Sequence, residues 1–144
     1  LKLRAAGVSM LPALWPGDLL TVHSHQPEDV ERGEIVLYMR RGRFFIHRIV
    51  STNPTDQDAF LVTRGDSMPK NDLPVRRSEL LGKVTEIRRA GSIVLPARKL
   101  SLSSRILGYL FCHWGLFRRI GLRLWASCHS DDCQIESTLA KAAS

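Results

Sequence analysis

The feature that most limits the fold is the rhythm of residues 17–95, where short apolar and β-branched runs alternate with clusters of turn formers. Leu19–Val22 follows Pro16-Gly17, and Glu34–Met39 follows Gly33. The Arg40-Arg41-Gly42-Arg43 turn leads into Phe44–Val50, the strongest strand candidate because it is aromatic, β-branched and flanked by turns. Phe60–Thr63 lies between the polar loop 51–58 and the turn-rich stretch 65–75, and Leu81–Ile87 and Ser92–Leu95 are joined at Ala90-Gly91. Many short strands with regular turns predict a mainly β fold, a small antiparallel, partly closed sheet or barrel. Pro16-Gly17-Asp18 and Arg32-Gly33-Glu34 each precede an apolar run and read as similar turn-to-strand entries.

After Pro96 the period changes. From Arg98 to Trp125 the spacing is helical: Leu107, Leu110, Phe111, Trp114, Phe117, Leu124 and Trp125 share one arc, and Arg98, Arg105, Arg119 and Arg123 the opposite one. A basic amphipathic helix with Trp and Phe on its apolar face fits an interfacial anchor, and equally a helix that covers the sheet. With 144 residues, a core needs no disulfide staples. The expected organisation is a β domain over 1–96, the basic helix over 97–127 and a polar tail over 128–144.

Charge is divided unevenly. Residues 1–72 carry nine Lys/Arg and nine Asp/Glu, whereas residues 73–144 carry twelve and five, so the net +7 sits in the second half. That asymmetry suits an anionic partner. A membrane surface met through residues 105–125 is the expected one. Nucleic acid is not expected, because no recognition motif is present and the aromatics of the helix lie apart from its arginines. No signal-peptide pattern and no apolar run of about 18 or more residues occurs, so the expected location is peripheral on a membrane or cytoplasmic. Three late cysteines, Cys112, Cys128 and Cys133, do not form a disulfide framework. Cys128-His129 to Cys133 is one cluster where a zinc site wants two, so neither metal nor cofactor is expected.

The candidate chemistry begins at Gly7-Val8-Ser9-Met10-Leu11-Pro12. A serine hydroxyl is a weak nucleophile until a base takes its proton. His47, in the Phe44–Val50 run, is a candidate base, because an imidazole with an ordinary pKa of about 6.5 accepts a proton at neutral pH, whereas a lysine must first be buried. A histidine base wants a carboxylate to hold its tautomer, and two follow it, Asp66 and Asp72, in the loop after Phe60–Thr63. Met10 and Leu14 read as apolar floor, Arg40, Arg41 and Arg43 as a solvated turn cluster, and Arg48, next to His47, as pointing to the other face of the sheet.

The ordered set Ser9-Met10-x-Pro12, Gly17-Asp18, Gly33-Glu34-Ile35-Val36, His47-Arg48-Ile49-Val50, Arg64-Gly65-Asp66, Asp72 and Gly82-Lys83-Val84 resembles the signal peptidase I family, which shares its β-fold with the self-cleaving peptidases of SOS-response repressors (S24/S26-type serine peptidases). Histidine rather than lysine at position 47 is similar to the endoplasmic-reticulum and archaeal version. The resemblance implies a serine endopeptidase that cuts a precursor after small residues through an acyl-enzyme. It assigns Ser9 as nucleophile, His47 as base and Asp72 as triad acid, with Asp66 a loop carboxylate or second orienter. Met10, Gly7 and Leu14 would line the substrate pocket, and the Ser9 N–H would serve the oxyanion hole. Some bacterial members add a serine hydroxyl two positions before the nucleophile; here that position is Gly7. Gly65-Asp66-Ser67-Met68 departs from the family's Gly-Asp-Asn-Asn loop, and only six residues precede Gly7, where members that process secreted proteins carry a membrane-spanning helix. The rival expectation is an inactive member of the same fold that binds a membrane or partner protein through its basic helix.

Overall fold

The computed structural model describes residues 1–52, 59–99, 101–113, 120 and 122–124. Its elements are β1 (Lys2–Arg4), β2 (Leu19–His23), β3 (Ile35–Arg40), β4 (Arg43–Thr52), β5 (Ala59–Arg64), β6 (Val75–Arg76), β7 (Leu80–Arg89), β8 (Ser92–Val94) and α1 (Leu102–His113). The strands form one antiparallel sheet in the order β1-β2-β7-β3-β4-β5-β6, with β8 paired to β7, and the path does not close into a barrel.

The hydrophobic pattern explains the register. β3 is buried along Ile35–Tyr38, with Ile35 and Leu37 in one core cluster and Val36 and Tyr38 in the other. Alternation sends successive side chains to opposite faces, so a strand that is apolar at every position must be covered on both sides. The first cluster joins Ile35 and Leu37 to Met10, Leu14, Leu20, Val22, Val84 and Ile87; the second joins Val36 and Tyr38 to Val30, Ile49, Leu61 and Val75. The β3–β4 and β7–β8 hairpins turn on Arg41-Gly42 and Ala90-Gly91, all four with positive φ. That is the conformation whose twist suits a two-residue hairpin.

The two turn-to-strand entries repeat one device. Asp18 accepts the N–H of Trp15 and pairs with Arg89; Glu34 accepts the N–H of Glu31 and pairs with Lys83 and Arg98. Each carboxylate closes its own turn three residues back and is then held by a basic group from β7 or just beyond β8. Burial works to raise the Glu34 carboxyl, but the Glu31 N–H, Lys83 and Arg98 outweigh it and the pKa falls below the usual range.

Six strands lie where the sequence predicts them. β1 and β6 do not, because three and two residues with charged neighbours carry too little pattern to register. The predicted helix after Pro96 starts later than Arg98, at Leu102, because Arg98 is held by Glu31 and Glu34 outside it; it appears as α1 and again at 120 and 122–124, and its other positions past His113, with the polar tail and Cys128–Cys133, lie outside the described residues. Among the described residues no helix is long and apolar enough to cross a membrane.

Candidate active site

Ser9 lies in a tight turn between β1 and β2. The Leu14 N–H donates to the Met10 carbonyl and the Leu11 N–H to that of Val8, at 3.0 and 3.3 Å. Met10 and Leu14, four positions apart in this turn, drop into the first core cluster and anchor it. Ser9 is left half-buried. From the other side, the loop after β5 grips the same turn: the Ser67 N–H donates to the Ser9 carbonyl at 2.9 Å, and the Ser67 hydroxyl to the Val8 carbonyl at 2.8 Å. Gly65 makes that approach possible, since a Cβ there would lie 2.5 Å from the Ser9 carbonyl oxygen.

His47 occupies the middle of β4, opposite Val36 and 7% exposed. Its Nε2 lies 3.0 Å from Ser9 Oγ, and its Nδ1 lies 2.6 Å from Asp72 Oδ2. Phe45 and Tyr38 meet the imidazole edge-on, at 6.2 and 6.3 Å between centroids, and shield it from water. Asp72 is returned to the sheet by its own N–H, which donates to the Thr63 carbonyl at 2.8 Å. Its Oδ2 then accepts from the Thr63 hydroxyl at 2.7 Å and from the Tyr38 hydroxyl at 3.3 Å, besides His47. Burial works to raise the Asp72 carboxyl; the hydrogen bonds from His47, Thr63 and Tyr38 outweigh it and hold the pKa below the ordinary value. Tyr38 is pushed the other way, chiefly by its burial.

Asp66 goes elsewhere. Both its oxygens are held at 2.8 Å by Arg48, from Nε and Nη2. Arg48 follows His47, so alternation aims it at the opposite face, where its Nη1 also donates to the carbonyls of Gly33 and Ala97. A bidentate pair with these further bonds fixes the loop's path. The six-residue separation of Asp66 and Asp72 thus spans two faces of the sheet. Of the residues singled out in the sequence, Ser9, His47 and Asp72 come together, Met10, Leu14 and Gly7 line the adjoining cleft, and Asp66 stands apart on Arg48. Lys83 is taken up by Glu34. Arg40 departs from the solvated reading: it forks onto Glu79 and donates to the carbonyls of Leu73 and Pro74, which closes the far end of the Asp72 loop.

Three supporting side chains escaped sequence reasoning. Thr63 and Tyr38 read as ordinary strand residues, and Ser67 as a turn residue. The faint signal was spacing: in antiparallel pairing, Thr63 sits opposite Ile49, two residues from His47 on the same face.

The cleft beside Ser9 holds about 540 Å³ and is walled by Leu3, Ala5 and Ala6 on one side and Phe44, Phe45 and Ile46 on the other, with Met10, Leu14 and Leu37 beneath. Among the described residues no group of three or more His, Cys, Asp or Glu side chains could hold a metal. The arrangement can pass a proton from a hydroxyl to an imidazole whose far nitrogen is held by a carboxylate.

Compared with known proteins, the chain matches one family model, described as Peptidase S24-like, over residues 2–85. No curated protein and no solved structure matches it.

Proposed function

The chain belongs to the Peptidase S24-like family, and on that premise we propose that it is a serine endopeptidase of the Ser-His-Asp kind, related in type to the signal peptidases. The reading rests on one observation above the others: the continuous chain of contacts from Ser9 Oγ to His47 Nε2 and from His47 Nδ1 to Asp72, at 3.0 and 2.6 Å. Those are hydrogen-bond distances for a nucleophile, its base and the base's orienter.

In this reaction His47 Nε2 takes the Ser9 proton as Oγ attacks the scissile carbonyl carbon. Asp72 holds the tautomer with Nδ1 protonated and balances the imidazolium that forms. The Ser9 N–H steadies the oxyanion. His47 then gives its proton to the leaving amine, the C–N bond breaks, and an acyl-Ser9 ester remains. Water, deprotonated by the same imidazole, hydrolyses that ester and restores Ser9.

The cleft suits an extended, apolar peptide. β1 is an edge strand paired only with β2, and residues 43–47 of β4 pair with β3 while pairing with β5 begins at Arg48. A peptide laid between them could add as a strand to either main-chain edge. Ala5, Ala6 and Gly7 leave main chain at the wall nearest Ser9, in keeping with a preference for small residues at the scissile bond.

A fluorophosphonate probe and a signal-sequence peptide test the proposal. Wild type is expected to be labelled and to cut, and Ser9→Ala and His47→Ala to do neither. Wild type that behaves like Ser9→Ala would sink the enzyme reading and leave a binding protein on a peptidase fold.

A further inference from the structure

Asp72 belongs to a stretch with no regular structure of its own. Residues 65–74 form neither helix nor strand, and Asn71, Leu73 and Pro74, which flank Asp72, are exposed. The strand that follows, β6, is two residues long. A carboxylate on such a segment keeps one geometry only if the main chain beside it is fixed. Behind Asp72 the hold is its own N–H on the Thr63 carbonyl, at 2.8 Å. Ahead of it, Leu73 turns its side chain outward, 73% exposed, and Pro74 has no N–H to give. What these two residues offer is their carbonyls, and one side chain takes both.

That side chain is Arg40. It ends β3, and alternation from Val36 through Tyr38 keeps it on the face that carries His47. Its Nη1 donates to the Leu73 carbonyl at 3.1 Å and its Nη2 to the Pro74 carbonyl at 2.7 Å. Nε and Nη2 donate to the two oxygens of Glu79, at 2.8 and 2.6 Å, so the fork is itself held. The guanidinium also lies over the Tyr38 ring, 5.6 Å from its centroid. Tyr38 stacks on Phe45 at 5.3 Å and donates its hydroxyl to Asp72 Oδ2. Two routes thus run from Arg40 to one carboxylate: through the main chain just after Asp72, and through the phenol. A planar group with a fixed fork of donors can make these bonds together; an ammonium has the charge without the fork.

We propose that Arg40 is a positioning residue for the candidate triad, holding Asp72 Oδ2 against His47 Nδ1. It acts from outside the cleft, whose lining does not include it. The consequence for rate rests on the peptidase reading above. The geometric claim is read without turnover.

Proton NMR of the full chain tests it. The Nδ1–H of His47, on its short bond to Asp72, should give a low-field resonance, and Asp72→Asn identifies it by its loss. Arg40→Lys is expected to move that resonance upfield or broaden it away, and to lower kcat about tenfold or more with KM little changed. Glu79→Gln weakens the hold on Arg40 but leaves both carbonyls to its fork, so it should lower the melt and keep the resonance. Tyr38→Phe keeps the ring and its stacking, and should move the resonance part of the way; it decides the matter should Arg40→Lys not fold. An Arg40→Lys protein that melts lower yet keeps the wild-type resonance and kcat overturns the proposal, because Arg40 would then be a strut. So does an equal shift in Glu79→Gln, since the resonance would then follow stability. A wild type that cuts nothing, beside an Arg40→Lys that moves the resonance, would sink the peptidase reading and leave the positioning role standing.

Discussion

Thr63 donates its hydroxyl, at 2.7 Å, to the same Asp72 oxygen that takes Nδ1 of His47. Thr63 is wholly buried, and this donor comes from the strand next to the one that carries His47. The carboxylate is therefore fixed from within the sheet and not by the loop alone.

Thr63→Val keeps the shape and removes that donor. A hydrogen bond to a charged group contributes about 1.5–3 kcal/mol, so the variant should melt lower and kcat should fall by about tenfold or more with KM little changed. Thr63→Ser should restore most of the loss. A kcat that does not move would show that Thr63 only packs.

The two aspartates should separate cleanly. Asp72→Asn leaves His47 without its carboxylate, and a loss of about four orders of magnitude in kcat is expected from comparable triads. Asp66→Asn instead strands Arg48, whose side chain is 11% exposed. Removing one partner of a buried pair costs about 3–5 kcal/mol, so a lower Tm is its main effect. Thermal melts and peptide kinetics on both variants decide it, and equal Tm losses would refute the division of roles.

Glu79 should govern stability in acid. The Arg40 hydrogen bond, assisted by the Arg76 N–H and opposed by burial, holds its carboxyl down to about 2 from an ordinary 4.5. A depressed carboxylate contributes its stability above the unfolded pKa and loses it as pH falls through the folded one. Wild type should therefore lose Tm between a pH of about 4.5 and about 2. Glu79→Gln should start lower at neutral pH and lose less over the same range. Parallel curves would assign the acid transition to other groups, Asp72 and Glu34 among them.

Position 7 has room for a second oxyanion donor. A Cβ there meets nothing nearer than Ser9 Oγ, at 4.0 Å. Removing one such donor from a peptidase costs about 100- to 1000-fold in kcat, so Gly7→Ser should raise kcat, by about tenfold if the hydroxyl finds the oxyanion. A fall in kcat with unchanged folding would show that the site already supplies the donor from main chain.

The β rhythm of residues 17–95, the pairing of Ser9 with His47 in kind, and the helical period after Pro96 were legible because each depends on local order. Alternation, turn chemistry and residue type are properties of short stretches. β1 and β6 were not legible, since a two- or three-residue strand is defined by its partner. Arg40 likewise reads as a solvated turn arginine until the chain of residues 73–79 folds back onto it.

The order of residue types along the chain is enough to specify a small antiparallel β protein with a serine in a tight turn, a histidine in an apolar strand and two carboxylates close together after it. Which carboxylate faces the histidine was decided only by tertiary structure. Neighbours on a strand point to opposite faces, so Arg48 draws Asp66 to one side while the Thr63 carbonyl and hydroxyl draw Asp72 to the other. That choice depends on strand pairing across the sheet, which spacing along the chain does not contain.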